Sequence, residues 1–161
     1  MIVVNVILVI ISIIVAALFF NSIEDRCKYK SKIYFKESLD DIGLPIITLS
    51  NNNKLFHFLI DSGASISVVD ALALKDLEYT KLTAEGTVYG VDGNEIPVEY
   101  VNMKLSYGRN EYSDDFQVTR IHAFDNLLEA NNVKISGILG NSFLNNYNCD
   151  ISFKDRSIFI R

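Results

Sequence analysis

The apolar run from Leu55 to Ile60 ends in Asp61-Ser62-Gly63-Ala64-Ser65. A run rich in Phe, Leu and Ile reads as a strand entering a core. A carboxylate at the inner end of such a strand is costly to desolvate unless it is hydrogen-bonded, paired or put to chemical use. Its chemistry would be proton transfer: ionised, it takes a proton from water; protonated, it gives one. Gly63 allows a tight turn and close backbone approach. Ser62 and Ser65 supply short-range donors and acceptors that can hold a loop. Taken alone, the tripeptide Asp61-Ser62-Gly63 is equally what an ordinary strand-end turn contains.

Two further stretches change that balance. Gly137-Ile138-Leu139-Gly140-Asn141-Ser142-Phe143-Leu144 is a second apolar run closed by glycine and followed by a short helical pattern. Between the two lies Thr87 to Ile96, whose Gly90-Val91-Asp92-Gly93 centre reads as a glycine-tipped hairpin. In isolation the first is a core strand ending in a turn, and the second an ordinary hairpin. In this order the three stretches resemble the retropepsin-like aspartic proteases, over roughly Leu44 to Arg161.

The resemblance implies an aspartic endopeptidase with Asp61 as its catalytic residue. Ser62, Gly63, Ala64 and Ser65 would support the active-site loop, with Ser62 hydrogen-bonding across the site and Gly63 letting two loops meet. Gly90, Val91, Asp92 and Gly93 would form the tip of a flap that closes over substrate. Ile138, Leu139 and Gly140 would pack behind Asp61. Ser62 stands where many members have threonine, a change the family also uses. Asn141 follows Gly140 where relatives often carry a charge, which leaves any ion pair made there in question.

Peptide hydrolysis by carboxylates needs two of them sharing a proton across a bound water. The chain offers one Asp-Ser-Gly; Asp41-Ile42-Gly43 lacks the hydroxyl and precedes the first strand instead of ending one. The soluble part is too short for the two-lobed, pepsin-like form. The second carboxylate is therefore expected from a second copy, in a two-fold homodimer. The short apolar final stretch Ser157 to Arg161 is expected to knit that dimer, as terminal strands do in the resembling family. The other partner would be an extended peptide or protein substrate lying along the cleft like an added strand. A different class of reading keeps the same fold as a non-catalytic peptide-binding or dimerisation module at the membrane, since fold does not prove activity. The intact Asp61-Ser62-Gly63 favours the enzyme. A structural membrane protein with an incidental β domain would leave the three ordered motifs unexplained.

Composition narrows the field. The 161 residues suit one domain, and a net charge of -5 with no basic footprint argues against nucleic acid. Cys27 and Cys149 are far apart and match no metal spacing. His57 and His122 have no partner pattern for a zinc site or a Ser/His triad; His57, alternating with apolar neighbours, reads as a solvent-facing strand residue. No metal and no cofactor is expected.

Residues 1–20 are nearly continuous Ile, Val, Leu, Ala and Phe. About 20 residues at 1.5 Å each span roughly 30 Å, the thickness of a bilayer core. No Lys or Arg precedes the run, and Val15-Ala16-Ala17 lies inside it with Leu18-Phe19-Phe20 following. An uncleaved single-pass anchor in membrane lipid is favoured over a cleaved signal peptide. Arg26, Lys28, Lys30, Lys32 and Lys36 then crowd residues 21–41, which read as a polar stalk. By the positive-inside rule they would hold the soluble domain on the cytoplasmic side.

Many short strands follow. Leu44 to Ser50 and Lys54 to Ile60 read as a hairpin turning at Asn51-Asn52-Asn53, and Ser67-Val68-Val69 as a further strand before a short helix from Asp70 to Leu77. Glu95 to Tyr107 shows a change of phase that suggests a bulge. Asp114 to Ile121 is another strand and Phe124 to Ala130 a short helix with Leu127 and Leu128 inward. Ser142 to Tyr147 makes one or two helical turns, and a last hairpin turns at Lys154-Asp155-Arg156. The expectation is one N-terminal transmembrane helix, a stalk to residue 41, and an all-β, closed, barrel-like retropepsin-type domain with short helices over residues 42–161.

Overall fold

Strand alternation builds the body of the molecule, because it gives each strand one apolar face to bury. The computed structural model describes residues 10–16, 29–83, 86–89, 95–125, 130 and 132–161. Eleven strands are defined among these: β1 (Ser31–Tyr34), β2 (Ile46–Asn51), β3 (Lys54–Ile60), β4 (Ser67–Asp70), β5 (Thr80–Lys81), β6 (Gly86–Tyr89), β7 (Glu95–Tyr107), β8 (Asn110–Thr119), β9 (Ile135–Leu139), β10 (Asp150–Ser152) and β11 (Ser157–Ile160). Short helices cover Lys36–Ile42 and Asn141–Asn146, with a 3-10 turn at Ala73–Asp76.

The larger sheet runs β2-β3-β9-β4-β8-β7-β5, with β6 paired to β7. Ser50 of β2 pairs with Ser106 of β7 and closes the sheet into a barrel. The expected all-β closed barrel with short helices is therefore what the chain forms. Asn52 and Asn53, both at positive φ, make the tight turn between β2 and β3 as expected. β7 carries no bulge against β8: the register runs unbroken from Glu99↔Val118 to Tyr107↔Asn110. The phase change marks a change of partner instead, since Val98 and the residues before it pair with β6.

The barrel interior is filled by Ile47, Leu49, Phe58, Met103, Phe116 and Leu139, all wholly buried. Burying a side chain of that size is worth about 1.5–3 kcal/mol. The C-terminal sheet shares this core. β11 lies between β1 and β10, and Ile33, Ile158 and Ile160 join the same cluster as Phe58 and Phe143.

That sheet differs from expectation twice. Residues from 31 onward, within the expected stalk, supply β1, the buried Phe35 and the helix Lys36–Ile42. Lys32 lies over the Tyr34 and Phe159 rings. Both edges of β11 are taken within its own chain, so the last strand presents no open edge to a second copy. Residues 10–16 are helical. No helix among the described residues is long and apolar enough to cross a membrane; most of the apolar run, the basic cluster up to Lys28, Cys27, Leu127 and Leu128 lie outside them.

Candidate active site

β9 sits between β3 and β4, parallel to the first and antiparallel to the second. Ile60 pairs with Leu139, so the two motif strands finish side by side. The chain leaves β3 at Asp61, whose backbone N–H donates to the Leu139 carbonyl at 3.1 Å. A turn follows, closed by Ala64 N–H to the Asp61 carbonyl at 3.2 Å. The Gly63 N–H donates to Asp61 Oδ1 at 2.8 Å and fixes the half-buried carboxylate. A Cβ on Gly63 would sit 3.1 Å from that oxygen, which is why a side chain is unwelcome there.

The remaining predicted support residues act through their backbones. The carbonyls of Ala64 and Ser65 accept N–H bonds from Asn141 at 2.8 Å and Ser142 at 3.2 Å. The Ser62 carbonyl accepts the Asn141 Nδ2–H at 2.9 Å. Asn141 thus clamps the Asp61 loop with an amide. Gly140 lets the two segments touch: a Cβ there would lie 2.3 Å from the Ile66 carbonyl oxygen. Gly137 faces the same constraint, with the Val68 carbonyl oxygen at 2.4 Å. Leu139 is wholly buried behind Asp61, and Ile138 is half-buried.

The structure adds a residue that motif reading missed. Asp114 on β8 is buried beside this clamp, and its Oδ2 accepts hydrogen bonds from Ser67 Oγ at 2.6 Å and Ser142 Oγ at 3.0 Å. Ser67 Oγ in turn accepts the Gly140 N–H at 3.1 Å, and Ser142 Oγ the Ser67 N–H at 2.9 Å. Burial pushes the Asp114 carboxyl above its ordinary range, against the pull of those hydroxyls. A sequence signal existed: Asp114 shares strand phase with Tyr112 and Phe116, both buried.

Other candidates fall away. Asp41 belongs to a helix that Gly43 ends in the left-handed conformation, so Asp41-Ile42-Gly43 is a helix terminus and not a strand-end acid. His57 is half-buried, its Nδ1 2.9 Å from Thr48 Oγ1. Cys149 is an unpaired, half-buried thiol, pushed up to about 12 by burial with Asp150 adding to it. Gly90, Val91, Asp92 and Gly93 lie outside the described residues, although β6 and β7 lead up to them through Tyr89↔Glu95. No group of three His, Cys, Asp or Glu able to hold a metal occurs among the described residues.

A carboxylate held at a strand end on a closed β barrel defines an acid–base site in search of its partner. The family model described as aspartyl protease matches residues 47–143, well over half of the chain and spanning both motif strands. The chain belongs to the aspartyl protease family, and it is an aspartic-type endopeptidase. A similar solved structure is the EIAV protease complexed with the inhibitor HBY-793. It is 18% identical, covers 68% of this chain and 93% of that one, and has a TM-score of 0.49. A likeness that distant assigns no residue a role. No curated protein matches the chain.

Proposed function

We propose that the chain is a retropepsin-like endopeptidase in which Asp61 is the catalytic carboxylate and a second copy supplies its partner. The observation that carries this is the Asp61 loop itself. Its carboxylate is oriented by the Gly63 N–H and backed by Leu139 and Gly140, as a reacting group must be. The described residues contain one such loop, and an acid pair needs two. In the dimer an ionised Asp61 takes a proton from the water between the copies, and the water attacks the peptide carbonyl. The protonated Asp61 of the other copy donates to the carbonyl oxygen. Gly90 to Gly93 close over an extended peptide or protein substrate and exclude water. Since β11 has no open edge, the copies meet through other parts of the rim and the terminal sheet.

The test is Asp61→Asn, which keeps the shape and removes the base. Cleavage of a peptide library should vanish while the fold persists by circular dichroism. Mixed with wild-type chains, the variant should reduce activity below proportion to the wild-type fraction, because heterodimers hold one carboxylate. Retained activity in Asp61→Asn ends the assignment, and strict proportionality at saturating dimer ends the shared site.

We further infer that residues 1–20 anchor the enzyme in a bilayer by their nearly continuous apolar character, with the domain on the cytoplasmic side. The full chain should stay in the membrane fraction through a carbonate wash, and Cys27 should resist an impermeant thiol reagent in intact cells. Release by the wash would remove the anchor; labelling of Cys27 would reverse the side.

A further inference from the structure

We propose that Asp114 is a positioning residue for the Asp61 loop, holding that loop in register only while its own carboxylate is ionised. The inference rests on Asp61 being the catalytic carboxylate. Ser67 Oγ and Ser142 Oγ each have one proton, and both protons point to the same oxygen, Asp114 Oδ2. Each hydroxyl is then an acceptor for one backbone donor, Gly140 N–H and Ser67 N–H respectively. The direction of every bond in the cluster follows from the negative charge at its centre.

Protonating Asp114 reverses one of these bonds. The new Oδ2–H must donate to a hydroxyl that was itself donating, and that hydroxyl's proton must swing from the carboxylate toward the other serine's oxygen, 3.1 Å away, so the cluster rearranges. The disturbance reaches Asp61 over a short path. Gly140 follows Leu139, whose carbonyl takes the Asp61 N–H, and precedes Asn141 and Ser142, whose N–H groups hold Ala64 and Ser65.

The surroundings make the charge sensitive. β4 presents Ser67 to it and the helix Asn141–Asn146 presents Ser142, while β7 pairs Met103 with Asp114; none of these is ionisable. The charged neighbour is Asp115, next in β8, which opposes ionisation although its N–H helps to hold the carboxylate. No cation takes part among the described residues. Burial raises the carboxyl above its ordinary value.

The experiment is the pH–rate profile of the full chain on a fluorogenic peptide, for wild type, Asp114→Asn and Ser142→Ala. Asp114→Asn should lower kcat by on the order of tenfold, with KM little changed, because the loop is misplaced and not the substrate subsites. Its acid limb should also lose one ionisation, falling with unit slope where the wild type falls more steeply. Ser142→Ala keeps the carboxylate but removes a bond that favours its charged form, so its acid limb should move to higher pH. This second variant carries the test if Asp114→Asn does not fold. An Asp114→Asn limb identical to wild type, or a Ser142→Ala limb that stays in place, overturns the proposal. Asp61→Asn separates the two readings. If it is inactive while the Asp114→Asn limb is unchanged, only the positioning role fails; if it is active, the catalytic assignment fails first.

Discussion

The two ends of β4 each lean on a buried aspartate, Asp114 beside Ser67 at the start and Asp70 at the finish. Burial is nearly equal, 5% and 4% exposed, yet the carboxyls shift in opposite directions. Burial would raise Asp70, but N–H groups of Ile121 and Leu72 and the Arg120 guanidinium at 2.7 Å outweigh it and hold the carboxyl low. Asp114 has hydroxyls and one backbone N–H but no guanidinium, and burial prevails. The far end, where Arg120 Nη2 also donates to both Asp125 carboxylate oxygens, is built to keep one state. The end beside Asp61 is held by neutral donors that a proton can rearrange. Two acids of similar exposure thus shift oppositely according to what meets them: two backbone N–H groups and a guanidinium at Asp70, hydroxyls and one N–H at the more desolvated Asp114.

The largest effect available at the near end comes from Gly140→Ala. The new methyl would meet the Ile66 carbonyl oxygen at 2.3 Å and the Ala64 carbonyl oxygen at 3.0 Å. Both are backbone atoms, so the segment from Ala64 to Ile66 must move away from Gly140. We expect a loss of about 3 kcal/mol in denaturant midpoint experiments, together with loss of cleavage. An active Gly140→Ala enzyme of wild-type stability would show that the close approach is not needed.

The near end was partly legible in the sequence because its parts are short and local. Asp61-Ser62-Gly63 and Ile138-Leu139-Gly140 each announce a strand and the turn that ends it, and the structure joins them in register. What the sequence could not display is what presses on them: the need for glycine at 137 and 140 comes from the carbonyls of Val68 in β4 and of Ile66 and Ala64 just before it, about seventy positions earlier. Asp114 hid for a related reason, since a polar residue on an apolar face looks like an error until Ser67 and Ser142 are seen beside it. β1 was masked by its composition. Lys30, Lys32 and Lys36 give residues 21–41 the look of a stalk, but alternation leaves Ser31 and Ile33 inward, opposite Ile160 and Ile158 at the other end of the chain. A partner so distant leaves no local trace.

The smallest effect tests the comparison most directly, through the sign of stability against pH. Both carboxyls start from an ordinary value of 3.8 in the unfolded chain. Asp70 is lower in the folded state, so its contribution is complete above 3.8 and disappears as pH falls through the folded value. Asp70→Asn should cost roughly 2 kcal/mol at neutral pH, with the gap to wild type closing only below 3.8. Asp114 is higher in the folded state, so between 3.8 and its folded value the native chain binds more protons than the unfolded one. Its charge therefore weighs on the fold at neutral pH and is relieved as pH falls toward 3.8. Wild type should accordingly gain on Asp114→Asn on acidification, in a window that lies above the one where it loses its advantage over Asp70→Asn. Urea midpoints of the three proteins from pH 7 to 3 would resolve the order. Parallel curves for the two variants would mean that Asp114 is balanced as fully as Asp70, and the contrast between the ends of β4 would collapse. If the windows separate as expected, acid relieves the fold at Asp114 over the same range in which the positioning role has the Asp61 loop lose its register.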